Sequence, residues 1–304
     1  MHHGPNPHDR TALRVLWHRD GPWSRLGMDL PPRRVYTFRM IIDVHAHAFP
    51  DQIAQRAMEK LCSASNISSA GDGTVGGLLE SMDQAGVDVS VLCAIATKVG
   101  QSAGISAWCK SVQSDRLVAF PSVHPDEPDA PAWVKRFAEA GFTGIKAHPM
   151  YQDCAADDPR MIPIYAAAAE NDMLVTSHCG FDIAYPPDDD RADPRRFANA
   201  LEQVPNLRLL CTHMGGWRAW KQADKWMVGK KVWLETSFSF DDLDRADMLD
   251  MIARHGFDKV CFGSDWPWNR QDQTIEHIKN LGLSAHQSKA ILGDNAIFML
   301  NINR

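Results

Sequence analysis

Ile41-Ile42-Asp43-Val44-His45-Ala46-His47 opens as an apolar, β-branched run and closes on two histidines two positions apart. Residues two apart in extended backbone point to the same side, so this reads as a strand whose C-terminal end carries two converging imidazoles. Runs of the same kind, apolar and then polar, recur at 89–95, 117–123, 144–147, 174–177, 207–212, 232–236 and 259–263. With 41–44 they number eight. Amphipathic segments lie between them, at 131–140, 163–171, 194–204, 243–254 and 271–281. Several carry proline near the first turn, as helix N-termini do. Runs that are apolar throughout predict parallel strands buried on both faces. Strand–helix alternation then predicts right-handed βαβ units. Eight units between residues 40 and 304 match an α/β (β/α)8 barrel, which takes about 250 residues. An open doubly wound sheet would need a glycine-rich phosphate turn directly after an early strand, and GxxxxGK[ST] does not occur in the sequence. The glycine-rich stretch 71–77 matches GxGxxG in spacing, but no strand-like run leads into it, and it is read as a loop before a helix at 78–85.

Composition narrows the function. Of 304 residues, 32 are basic and 38 acidic, a net charge of -6. That balance gives no electrostatic footprint for nucleic acid or an anionic membrane. No apolar run nears the roughly 18 residues of a membrane span. The seven cysteines include no CxxC pair, and Cys93, Cys211 and Cys261 sit inside apolar runs. Such thiols act as small hydrophobes, so a reducing compartment is expected and the protein is read as cytoplasmic. Residues 1–39 stand apart, with seven Arg, no Lys and five Pro. They lack the apolar core of a secretory signal and are read as a flexible extension, or as sequence upstream of the true start. His2, His3 and His8 are read as part of a solvated tail.

In a barrel of this kind, active sites form at the C-terminal ends of the strands. Strand one ends in His45-Ala46-His47, strand five in Ser177-His178, strand six in Thr212-His213-Met214-Gly215-Gly216 and strand eight in Gly263-Ser264-Asp265-Trp266-Pro267. A single histidine at a strand end is ordinarily a hydrogen-bonded structural residue. His-x-His, His, His and Asp in this order are a metal-site constellation. Imidazoles with a carboxylate suit Zn2+ first, and Mn2+, Fe2+ or Co2+ as well.

Together with Gly144-Ile145-Lys146-Ala147-His148-Pro149 and Gly293-Asp294-Asn295-Ala296, these motifs resemble the amidohydrolase superfamily. They are most like its branch of TIM-barrel metal-dependent hydrolases, which also holds aminocarboxymuconate-semialdehyde decarboxylase and related aromatic-acid decarboxylases. The resemblance implies His45, His47, His178 and Asp265 as ligands of one divalent metal. It implies His213 as the nearby catalytic histidine, and Asp265 as an acceptor of a proton from water polarised by the metal. A strand-four lysine is carboxylated in two-metal members. Here Lys146 is read as an uncarboxylated residue facing substrate, with His148 lining the site. Asp43 is expected to orient an imidazole or to pair with Lys146. Glu235 points into the mouth or into the wall.

Two loops have side chains suited to substrate. Arg218, after two glycines, could hold a carboxylate in a fork. Trp266 could wall a cyclic substrate or pack the barrel rim. The acidic loop 185–190 is read as solvated. The leading expectation is hydrolysis of an amide, lactone or ester-like bond by metal-activated water on a small-molecule substrate. The alternative is non-oxidative decarboxylation of an unsaturated or aromatic acid. A third, non-catalytic reading is a metal-binding scaffold. A homodimer is compatible with such a barrel.

Overall fold

The computed structural model describes residues 40–302. The extension read at 1–39, with His2, His3 and His8, lies outside the described residues. Eight parallel strands alternate with helices: β1 (Ile42–Ala46), α1 (Asp51–Ser65), α2 (Val75–Ala85), β2 (Val89–Cys93), α3 (Ser102–Val112), β3 (Leu117–Phe120), α4 (Ala130–Glu139), β4 (Gly144–Ala147), α5 (Met161–Glu170), β5 (Leu174–Ser177), α6 (Pro194–Gln203), β6 (Arg208–Cys211), α7 (Trp220–Trp226), β7 (Trp233–Glu235), α8 (Arg245–His255), β8 (Val260–Cys261), α9 (Gln271–Asn280), α10 (Ala285–Lys289) and α11 (Asn295–Met299). The strands pair in order as β1-β2-β3 and β4-β5-β6-β7-β8. Two backbone bonds join these arcs, Lys146 N–H to Pro121 O (2.9 Å) and Val44 N–H to Phe262 O (2.9 Å). The barrel therefore closes and no strand edge is left open.

The strands hold because nearly every position in them is buried, as the continuous apolar runs required. Helix residues such as Leu78, Val134, Phe137, Ile164 and Phe197 pack on Leu92, Ala119, Ile145, Val175 and Leu209 of the strands in one large core. Each such aliphatic or aromatic side chain contributes about 1.5–3 kcal/mol by burial. Ile42, Val44, Val91, Phe120 and Leu210 form a second cluster with Met299 of the C-terminal helix. Several strands are shorter than their apolar runs. Past the strand ends, residues such as Ala94 and Val123 remain buried.

Local signals set most helix starts. Asp193 and Asp244 cap α6 and α8 by accepting backbone N–H groups. In the glycine-rich stretch, Thr74 caps α2, whose first turn already includes Gly76 and Gly77. Only the front of that stretch is a loop. Among the described residues, no helix is long and apolar enough to cross a membrane.

Candidate metal centre

The register of β1 is irregular between Asp43 and Ala46. Such a bulge re-aims side chains at the end of a strand. His45 is buried beneath the barrel mouth, and its Nδ1 lies 3.2 Å from Glu235 Oε1. His47 Nδ1 lies 2.7 Å from the Cys93 carbonyl. A carbonyl can only accept, and Glu235 already accepts from the His213 and Ser237 backbone amides (2.8 and 2.7 Å) and the Ser237 hydroxyl (2.8 Å). Both Nδ1 atoms must therefore donate, which leaves each Nε2 with a bare lone pair.

Those two Nε2 atoms are 3.1 Å apart. Asp265 Oδ1 lies 3.4 Å from the first and 3.1 Å from the second. That oxygen is buried and has no hydrogen-bond partner. Short contacts without a bond are what three electron-pair donors give when no proton lies between them. Burial pushes the His45 pKa far below the ordinary histidine value, more strongly than the Asp265 charge raises it, so the imidazole stays neutral. Burial alone would raise the Asp265 pKa, but the adjoining imidazoles hold the carboxyl well below the usual range. Lys146 Nζ donates to His45 Nε2 at 2.9 Å and compensates one lone pair. The donor set as a whole fits a divalent cation.

The strand-eight loop carries Asp265 in left-handed backbone (φ 59°). Its N–H donates to His45 O (2.7 Å), and its carbonyl accepts from Trp268 N–H (3.0 Å). Conformations of this kind are unfavourable for non-glycine residues and persist where surroundings enforce them. Asp43 supplies part of that enforcement. Its carboxyl accepts from the His45 and Ser264 amides, the Ser264 hydroxyl and the Gln271 amide. Burial pushes its pKa up to about 7, against those hydrogen bonds. Asp43 therefore ties β1 to the strand-eight loop. It neither orients an imidazole ring nor pairs with Lys146.

The four-residue ligand set is gathered only in part. His45, His47 and Asp265 converge, whereas His178 groups with His148 and Asp182. His178 stacks on His148 with ring centroids 4.3 Å apart and 8° between planes. Its Nε2–H donates to Phe181 O (3.1 Å), and its Nδ1 meets His213 Nε2 at 3.1 Å. Neither nitrogen is grouped with the donor triad. Nor is the His148–His178–Asp182 group a second cation cage. Tyr151 N–H donates to His148 Nδ1 (3.4 Å), which leaves a proton on the Nε2 that faces Asp182 at 3.5 Å. Burial pushes both rings down in pKa.

His213 also has left-handed backbone (φ 58°). Burial and the His178 imidazole push its pKa down to about 3. Its Nδ1 meets the Ser237 hydroxyl at 2.8 Å, and that hydroxyl also reaches Glu235 Oε1 at 2.8 Å. Glu235 thus points into the mouth, behind both His45 and His213. A proton sliding along Glu235, Ser237 and His213 would switch His213 Nε2 between donor and acceptor.

Above the triad lies a cavity of about 330 Å3, lined by Lys146, His148, Tyr151, His213, Trp217, Phe238 and Trp268, together with apolar residues of α1 and α3. Lys146 and His148 face it as expected. Arg218 does not. It pairs with Asp242 (2.9 Å) and its guanidinium rests 4.7 Å over the Trp217 ring, outside the lining. Trp217 lines the cavity instead, and its buried indole N–H has no acceptor. Trp266 packs the rim and does not wall the cavity. It is buried against Gly71, where an added Cβ would sit 2.4 Å from its ring, and Trp268 two residues on takes the lining position. The acidic loop is knit by ion pairs of Asp189 with Arg191 and of Asp190 with Arg196. Ser237, Tyr151 and Trp217 are site residues that sequence reasoning missed. The only signal for Tyr151 was its place three residues beyond His148.

Among curated proteins, a stretch of 124 residues is 27% identical to gamma-resorcylate decarboxylase of a Polaromonas species. It covers 34% of this chain and 37% of that protein, so the match spans just over a third of the relative's own length. Among solved structures, 2,6-dihydroxybenzoate decarboxylase complexed with 2,6-dihydroxybenzoate superposes with TM-score 0.69 at 16% identity, over 87% of this chain and 100% of that one. The 5-carboxyvanillate decarboxylase of Novosphingobium aromaticivorans, complexed with manganese and a nitrobenzoic acid, gives TM-score 0.67 at 14% identity, over 87% and 97%. At such identities these structures speak for the TIM-barrel fold alone. The family model described as amidohydrolase matches residues 42–302, a span that holds every donor of the triad and every strand of the barrel, and the chain belongs to the amidohydrolase family.

Proposed function

We propose that this protein is a metal-dependent, non-oxidative decarboxylase of an aromatic or unsaturated carboxylic acid. This reading displaces hydrolysis, the leading expectation from sequence. The observation that carries it is the cavity: apolar and aromatic walls around one cation-binding triad and one lysine. A carboxylate moved from water into such surroundings loses hydration that opposes CO2 loss, whereas a hydrolase must admit and hold water. The named relatives are decarboxylases, which supports the same choice.

His45, His47 and Asp265 would hold the cation, which supplies positive potential for the substrate's carboxylate and any neighbouring hydroxyl oxygen. Two imidazoles and a carboxylate suit Zn2+ and Mn2+ alike, and the manganese of the 5-carboxyvanillate decarboxylase favours Mn2+. Lys146 pairs with substrate charge. His213 positions the proton through its Ser237–Glu235 chain. The carbon–carboxyl bond breaks, its electron pair takes up a proton to form C–H, and CO2 departs. The buried Trp217 indole N–H is a free donor for a substrate oxygen.

The test is an assay of Mn2+- and Zn2+-loaded protein against hydroxybenzoates, lactones and esters. Equal yields of CO2 and decarboxylated phenol are expected. Hydrolysed lactone or ester with no CO2 from any acid would overturn the reading.

A further inference from the structure

The cavity lining combines barrel-end residues with residues of two helices. Ile53 and Leu61 of α1 lie eight residues apart, and Ile105 and Trp108 of α3 lie three apart. Both spacings place a pair on one helix face. Phe49 and Ile95 complete an apolar pocket continuous with the donor triad. Among the described residues, Lys146 is the only lysine or arginine in the lining, and it already touches His45. A second carboxylate held away from the triad would have no cation to meet it.

Gly104 of α3 adds an independent observation. Glycine inside a helix is less favourable than alanine by roughly 0.5–1 kcal/mol. Here its backbone is not left-handed, and beyond its chain neighbours and its own helix backbone nothing lies within 4 Å of an added Cβ. Nothing in the local packing requires glycine, yet the residue lines the cavity, where its missing side chain leaves open space.

We infer that the substrate is a monocarboxylic acid bearing an apolar substituent on the side away from the carboxylate, and that α1 and α3 select for that substituent while excluding a second acid group. The inference rests on the decarboxylase reading for the placement of the carboxylate at the triad. Burying each methylene is expected to raise affinity about fourfold until the pocket is full.

The test uses Mn2+-loaded protein and salicylates carrying hydrogen, methyl, propyl or pentyl para to the carboxylate, with hydroxyterephthalate as the diacid. Calorimetry reads affinity, and a separate assay reads CO2. Expected are affinities that climb along the alkyl series, a heat-capacity change that grows more negative, and binding of the diacid at least tenfold weaker than of the methyl compound. Gly104→Leu should remove most of the gain from propyl to pentyl and leave the short members unaltered. Ile53→Asp, at a position 41% exposed and so safe for folding, should weaken the pentyl compound about tenfold. A flat alkyl series, a diacid that binds as well as the methyl compound, or no binding of any acid overturns the inference, even where CO2 is evolved. A climbing series without CO2 keeps the pocket and removes the decarboxylase.

Discussion

Replacing Glu235 by glutamine tests whether a buried carboxylate sets the metal centre. Oε1 of Glu235 accepts from His213 N–H (2.8 Å), the Ser237 hydroxyl (2.8 Å) and His45 Nδ1 (3.2 Å), and Oε2 accepts from Ser237 N–H (2.7 Å). A glutamine has one acceptor oxygen. Its better orientation keeps oxygen towards the three donors and points NH2 at the Ser237 amide, donor against donor. The side chain is fully buried, with Oε2 against Gly263, where an added Cβ would lie 2.1 Å from it. One unsatisfied buried amide lowers stability by about 1–3 kcal/mol. The neutral acceptor also makes His45 Nε2 a weaker base. Loss of such a supporting partner typically weakens metal binding about 10–100-fold, or roughly 1.4–2.7 kcal/mol. Competition with a chelating dye reads the metal affinity, and thermal denaturation of metal-free protein reads the stability. A dissociation constant within twofold of the parent and an unshifted melting curve would refute the role given to Glu235.

Lys146→Met removes a cation 2.9 Å from His45 Nε2. Metal affinity should hold or tighten, and kcat/KM for an acid substrate should fall roughly 10- to 100-fold through a lost charge-assisted bond; loss of bound metal would instead make Lys146 part of the ligand set. Arg218→Ala breaks an exposed pair with Asp242 worth about 0–1 kcal/mol, and KM should move less than twofold; a tenfold rise would return the residue to the substrate. His255 is buried, donates to Val232 O (3.0 Å) and accepts from Gly229 N–H (3.1 Å), and burial pushes its pKa down to about 4. Its unfolded value is about 6.5, so the unfolded chain binds the extra proton between those values. Its contribution is complete above pH 6.5 and declines as pH falls towards 4, by about 3 kcal/mol at most. Other buried histidines add to the slope in the parent protein, so the measurement is the difference in denaturant stability between pH 7.5 and 5 for parent and His255→Gln. Equal slopes would count against His255.

The barrel was legible because strand burial on both faces writes itself as continuous apolar runs, and because polar residues at the run ends mark the mouth. His45, His47 and Asp265 could be read from strand periodicity and position. Orientation beyond the strand ends was not legible. His178 follows β5 as expected, but stacking on His148 and the Phe181 carbonyl turn its ring away from the triad. Arg218 has left-handed backbone (φ 53°), and its side chain leaves the mouth for Asp242. Trp266 and Trp268 are indistinguishable as letters, and only packing against Gly71 separates them. The helix α1 was not anticipated, although Ile53, Ala54, Ala57, Met58, Leu61 and Cys62 recur at helical spacing; its apolar residues are shared between the core (Ala54 and Met58) and the cavity (Ile53 and Leu61).

The cavity wall drawn from α1 and α3 lies on helices, whereas the triad sits on the strand ends. A lineage could therefore swap one preference for another by drifting in these two segments while the reactive centre stays under unbroken selection. The same division offers a laboratory route: libraries confined to positions 53, 61, 104, 105 and 108 would explore new acids without touching a residue that grips the ion.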